Sequence, residues 1–131
     1  MRTRAVDRYK AGEYLKRAEE CKNAMNHSYD MREWNACVIN AVHSAIAAAD
    51  AFCIRRTGIR HAGERHEDAL RLFVEADPQG IEIKEAIRHL QSLLGVKTDA
   101  EYGERMMKEN DAVLAKKHAE RFFNFVAGRV R

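Results

Sequence analysis

The sequence predicts an all-α fold, an antiparallel bundle of four long helices and one short helix. Three observations predict it. A single Pro and 7 Gly in 131 residues leave too few turn formers for an all-β sandwich. Apolar residues recur at steps of three and four along most of the chain, and no run of strand period is longer than four or five residues. Hydrophobic residues make up 46% and charged residues 33%, which is enough apolar material for a packed core and too much for disorder. The length favours one domain over residues 1–131.

Residues 4–27 form the first helix. Tyr14, Leu15, Ala18, Cys21 and Met25 share one face, and Lys16, Arg17, Glu19, Glu20 and Lys22 cover the rest. The polar run 26–30 is a turn, with Ser28 or Asp30 as the cap of the next helix. Residues 31–56 form the second helix. Between Trp34 and Ile54 it carries only Asp50 and His43 as acid–base groups besides cysteine, and its middle is rich in alanine. So little charge over such a length describes a central helix contacted on several sides. Thr57-Gly58 ends it, with Gly58 as the left-handed residue after the helix. A short helix over 64–76 turns Ala69, Leu70, Leu72, Phe73 and Ala76 inward, and Asp77-Pro78-Gln79-Gly80 is a turn. Residues 81–94 repeat the amphipathic pattern with Ile83, Ile87, Leu90 and Leu94, until Gly95 breaks it. Thr98-Asp99-Ala100-Glu101 resembles a capping box opening the last helix, 98–129, with a short break near Gly103.

Several functions are excluded or disfavoured by composition. The net charge is +3, from 23 Lys+Arg and 20 Asp+Glu, which permits an RNA or nucleotide partner without demanding one. Cys21, Cys37 and Cys53 are odd in number and form no CxxC, so they read as small hydrophobes of a reduced, cytoplasmic protein. No apolar h-region follows the basic start, and no uncharged run reaches about 18 residues, so neither a signal peptide nor a membrane span is expected. No Glu lies three residues before any of the six histidines, which removes the usual di-iron bundle site. Cysteine and histidine lack zinc spacing, and neither a P-loop nor a dinucleotide fingerprint occurs. No metal and no cofactor are expected.

Two features remain as candidate sites. Asn40, His43, Ala47 and Asp50 form a polar stripe on the second helix. It reads either as a satisfied polar network at a helix or dimer contact, or as the wall of a ligand groove. The stretch from Arg55 to His66 holds four arginines and two histidines, at a helix end, a Gly-bounded loop and a helix start. Arg gives bidentate hydrogen bonds to phosphate and His a titratable proton, so this stretch suits phosphate or RNA. Ordinary solvated loop charge is its other reading.

The run Asn35 to Phe52, then Gly58, then His66 to Phe73 resembles the HEPN superfamily of small helical bundles, in its stand-alone, actinobacterial-type branch. Leu90 to Leu94, Lys97, Tyr102-Gly103 and the closing Ala119 to Val126 fit the same pattern, so the likeness spans about residues 10–127. The resemblance implies a homodimer with a groove along its interface. It implies RNA binding, RNA cleavage, or pairing with a nucleotidyltransferase in toxin–antitoxin and defence systems. The family's ribonucleases carry Arg-x4-6-His, usually with a polar residue after the Arg, near the start of the last long helix. Here that stretch runs from Lys97 to Tyr102, with Lys for Arg and Tyr for His. A phenol is a poorer acid or base than imidazole at neutral pH. Arg56 with His61, and Arg60 with His66, match the spacing but lie in an earlier loop.

The expected function is therefore RNA or nucleotide binding by a homodimer without an intact ribonuclease motif. Arg56, Arg60, Arg65 and Lys97 are the expected phosphate contacts, and His61, His66 and Tyr102 the hydrogen-bonding partners. An active ribonuclease using His61 or His66, and a pure interaction protein, are the alternatives. The dimer is expected along the Ala41–Ala45–Ala48 edge, with Asn40, His43 and Asp50 at the groove.

Overall fold

The computed structural model describes residues 1–78, 80 and 82–131. The order is β1 (Thr3–Ala5), a 3-10 turn (Arg8–Lys10), α1 (Ala11–Asp30), α2 (Trp34–Thr57), β2 (Ile59–His61), α3 (His66–Ala76), α4 (Ile83–Tyr102) and α5 (Glu109–Val130). The fold is all-α with four long helices and one short one, as the periodicity predicts. Consecutive long helices run antiparallel, because short connections return the chain on itself. Asn35 reaches Met107, just before α5, and Phe52 packs on Phe125 near its end, so α2 and α5 lie side by side and parallel.

The core is centred on α2. Eleven of its residues are buried, among them Ala41, Ala45, Ala48, Phe52 and Ile54. Small alanines let α1 and α5 approach its two flanks. Ser44, fully buried there, donates its hydroxyl to the Ala18 carbonyl of α1 at 2.8 Å. Phe73 of α3 sits 4.7 Å from Phe52 and 5.3 Å from Phe122 between ring centroids, fastening the short helix to α2 and α5. Among the described residues α2 alone has the length and apolarity to cross a membrane, and two-thirds of its most apolar window is buried in this bundle. All three cysteines are free. Burial pushes the Cys37 thiol up to about 11 and Cys53 up to about 12, so both behave as apolar packing groups.

The structure corrects five local expectations. The polar run 26–30, expected as a turn capping the next helix, is the last part of α1, which continues to Asp30, and α2 opens at Trp34 without a side-chain cap. The edge Ala41–Ala45–Ala48 is not left for a second subunit: all three residues are at most 1% exposed, covered within the chain. The first helix starts at Ala11, because residues 3–5 pair with β2 instead, Thr3 opposite His61, Arg4 opposite Arg60 and Ala5 opposite Ile59. Gly95 does not break its helix. Leu93, Leu94 and Ala100 continue the inward stripe, and their burial outweighs the propensity cost of one exposed glycine, about 1 kcal/mol. Thr98–Glu101 is accordingly the last turn of α4 and not the start of α5. The chain turns at Gly103, where a Cβ would stand 2.5 Å from the Asp99 carbonyl oxygen. The cap of α5 lies further on, where Asp111 accepts the Lys108 N–H at 2.8 Å. Gly58 is left-handed, φ 74°, as expected at the end of α2. The turn expected over 77–80 includes Gln79 and the helix start expected at 81 is Ile81, and both lie outside the described residues.

Candidate functional site

Three elements converge at one end of α4. β2 delivers His61, the first residue of α3 is His66, and the last turns of α4 deliver Lys97, Thr98 and Tyr102. With Ile46 of α2, Gly63 and Glu64 they line a cavity of about 410 Å³. Four of the residues singled out by sequence, His61, His66, Lys97 and Tyr102, therefore meet. They come from stretches that are separate in the chain, and the β1–β2 ribbon makes the meeting possible by pinning the loop after α2.

Polar contacts set the chemistry of this cavity. Glu101 binds two neighbours at once, the Lys97 ammonium at 3.2 Å and the His43 Nε2 at 3.2 Å. His43 is thus tied to the site through Glu101 and does not line it. His61 Nε2 is buried with no hydrogen-bond partner among the described residues. Burial is the main force lowering the pKa of His61; Asp68 opposes it, while His66 and Arg60 reinforce it. A smaller cavity of about 30 Å³ lies beneath, sharing Ile46 and His61 and bordered by Asp50, Cys53 and Leu94. Burial pushes the Asp50 carboxyl up to about 7, against the opposing pull of Arg60 and Arg17. Tyr102 is 80% exposed at the mouth, where its ring presents a free face.

The other expected residues point elsewhere. Arg56 lies 3.9 Å from Asp77 and over the Phe52 ring. Arg65 is exposed, 3.9 Å from Glu67. Arg60 alternates with His61 along β2 and so falls on the opposite face of the ribbon. Neither Arg/His pair with the family spacing assembles in the cavity. Asn40 bonds the Ala36 carbonyl of its own helix, 2.9 Å away, which accounts for it as a satisfied helical side chain. Ala45 is core and lines no groove. Among the described residues no three His, Cys, Asp or Glu side chains cluster to hold a metal ion.

Sequence reasoning missed Ile46, Thr98 and Glu101. Glu101 had a legible signal, standing four residues after Lys97 on a helix. Asn35 was missed as well. Its Nδ2 donates to the Ala100 carbonyl at 2.9 Å and its Oδ1 accepts the Met107 N–H at 2.7 Å. One side chain of α2 thereby holds both sides of the α4–α5 connection, which begins just after Tyr102.

The chain is a small α-helical bundle with a histidine- and lysine-lined cavity beside a two-stranded ribbon. Its family follows from comparison: the HEPN domain model matches residues 11–129, and the chain belongs to the HEPN family. No curated protein matches it.

Proposed function

We propose that this HEPN domain, the whole of residues 1–131, binds RNA or a nucleotide in the cavity between β2, α3 and α4. The carrying observation is the convergence of His61, His66, Lys97 and Tyr102 from three elements. Lys97 supplies a cation for phosphate, His66 and His61 supply ring nitrogens, and the exposed Tyr102 ring offers a stacking face for a base. Titrating labelled RNA and a mononucleotide into wild type and Lys97→Gln tests the reading. The variant should bind several-fold more weakly, and wild-type RNA binding should fall steeply with salt. No binding of either ligand at low salt would overturn it.

The domain acts as a homodimer in this reading, in the cytoplasm, where three free thiols stay reduced. The surface that supports a dimer is the apolar set Tyr102, Met106, Val113 and Leu114, exposed at the end of α4, in the α4–α5 connection and in the first turns of α5. A protein partner such as a nucleotidyltransferase is the alternative occupant, and co-purification of the pair from a toxin–antitoxin or defence locus would favour it.

One observation favours a second reading, an active ribonuclease: His61 and His66 share the cavity. One imidazole would take the 2′-hydroxyl proton and the other would return a proton to the leaving 5′-oxygen. Incubating RNA with wild type, His61→Ala and His66→Ala separates the cases, since equal cleavage by all three would exclude both residues.

A further inference from the structure

We propose that the face of the β1–β2 ribbon opposite the cavity is a second phosphate-binding surface, which takes the backbone of a single-stranded RNA running past the pocket. This rests on the RNA reading above and adds a surface that the cavity does not contain.

The first ground is an electrostatic cost that no close ion pair among the described residues relieves, although Arg60 also feels the buried Asp50 carboxyl. Arg4 and Arg60 are direct cross-strand partners, so two like charges share one face of a two-stranded ribbon. Like charges directly opposite destabilise a strand pair. Neither has an ion-pair partner within 4 Å among the described residues. Arg60 uses one terminal nitrogen on the His61 carbonyl, at 3.1 Å, while its Nε is buried without a partner among the described residues.

The second ground is the continuation of this charge. A cavity of about 550 Å³ borders the ribbon at Ala5 and Gly58 and is lined by Arg8, Lys10, Tyr14 and Asp7. Arg8 and Lys10 also lack acidic partners within 4 Å among the described residues, and Asp7 is the one acid in that lining. Most other arginines of the fold are paired: Arg129 with Glu82, Arg131 with Glu19, Arg105 with Asp111 and Arg88 with Glu85. Four cations without an acidic partner within 4 Å among the described residues, Arg4, Arg8, Lys10 and Arg60, thus lie along the ribbon and the 3-10 turn before α1.

The geometry sets the ligand class. Strand alternation sends Arg4 and Arg60 to one side of the ribbon and His61 to the other. A mononucleotide occupies one side only. A phosphodiester chain is long enough to cross the ribbon edge, with successive phosphates on separate cations and a base against Tyr102.

The test uses the full chain, a fluorescein-labelled oligouridylate of about twelve nucleotides, and AMP. The ribbon variant is Arg4→Gln/Arg8→Gln/Lys10→Gln. A control of equal charge loss, Lys84→Gln/Arg88→Gln/Lys117→Gln, alters exposed cations of α4 and α5. The ribbon variant should lose at least about tenfold in oligonucleotide affinity, with a salt slope shallower by about 0.7 for each phosphate contact removed. AMP affinity should stay at the wild-type value. Circular dichroism melts confirm that both variants fold, and a ribbon variant that does not fold is replaced by Arg8→Gln/Lys10→Gln, which leaves the strands intact. Oligonucleotide binding that is unchanged in the ribbon variant, or reduced equally in the control, overturns the proposal. So does binding to vesicles of anionic phospholipid with none to RNA. Loss of AMP binding in wild type with a ribbon-dependent oligonucleotide signal would sink the pocket reading alone.

Discussion

The Nδ1 atoms of His89 on α4 and His118 on α5 face each other at 2.9 Å, with ring centroids 5.2 Å apart. The nitrogens lie close to the line between the two rings, so this is a hydrogen bond in which one imidazole donates and the other accepts. A second proton between them would set two donors face to face. Burial comes first in lowering both histidines; Glu85 opposes it at His89, and Arg121 and Lys117 add to it at both.

The pair gives the fold a pH dependence of definite sign. Both folded-state values lie below the unfolded value near 6.5, so the unfolded chain takes up protons first. Stability is full above that pH and is lost as pH falls through the folded values. Thermal melts at pH 7.5 and pH 5.5 should differ by several degrees in Tm, and His89→Leu/His118→Leu should flatten the difference. An unchanged pH profile in the double variant would contradict the account.

Asp50 has the opposite sign. Its folded carboxyl titrates at about 7 against an ordinary 3.8, so the folded chain holds a proton that the unfolded chain releases. Its contribution to stability declines as pH rises from about 4 through 7. Asp50→Asn should match wild type near pH 4 and melt higher at pH 8. A lower melting temperature at pH 8 would show that the carboxylate makes contacts the asparagine loses.

Glu101 should restrain anion binding, because it neutralises Lys97 at the cavity wall. Glu101→Gln is expected to raise nucleotide affinity a few-fold, in contrast to the loss from Lys97→Gln. Isothermal titration of the two variants reads both directions, and a fall in both would assign Glu101 a role in shaping the cavity.

Asn35→Ala removes two hydrogen bonds that join α2 to the α4–α5 connection. It should cost about 1–3 kcal/mol in denaturant unfolding, because a buried carbonyl and N–H lose their partners. Ligand affinity should fall too, since Tyr102 leaves its held position. Wild-type affinity in this variant would detach Tyr102 from the site.

Ala45→Glu and Leu114→Glu should behave differently. The first puts a carboxylate at a position 1% exposed inside the chain and should prevent folding. The second alters a residue 45% exposed near the start of α5 and should yield folded monomers. Light scattering after size exclusion distinguishes them, and a folded, dimeric Leu114→Glu would move the interface elsewhere.

The helices were legible in the sequence because burial imposes a period that residue types record. The uncharged run of α2 and the inward stripe of α3, which buries Leu72 and Phe73, are examples. The true end of α4 was not, since Gly95 carries a local breaking signal that the neighbouring leucines override. Three-residue strands are too short to show a period of two, so β1 read as helix. That loss carried into the site: without a strand, nothing told that Arg60 and His61 face opposite ways. The dimer edge was misplaced for a related reason, because alanines suit close helix approach whether the neighbour is α1 or a second subunit. The histidine pair escaped because its members are 29 residues apart and meet only through the packing of α4 on α5.

The ribbon joins segments that lie far apart in the chain. Two three-residue strands hold too few hydrogen bonds to persist without support, so they close only after α1 and α2 have docked. The N-terminal segment is consequently the last to join the fold and the first to leave it. Its amides, from Thr3 to Val6, exchange with solvent through a local opening that spares the phenylalanine core. The two proposed binding faces lie on either side of these ribbon hydrogen bonds, and a ligand spanning them would register first as slowed exchange at those amides.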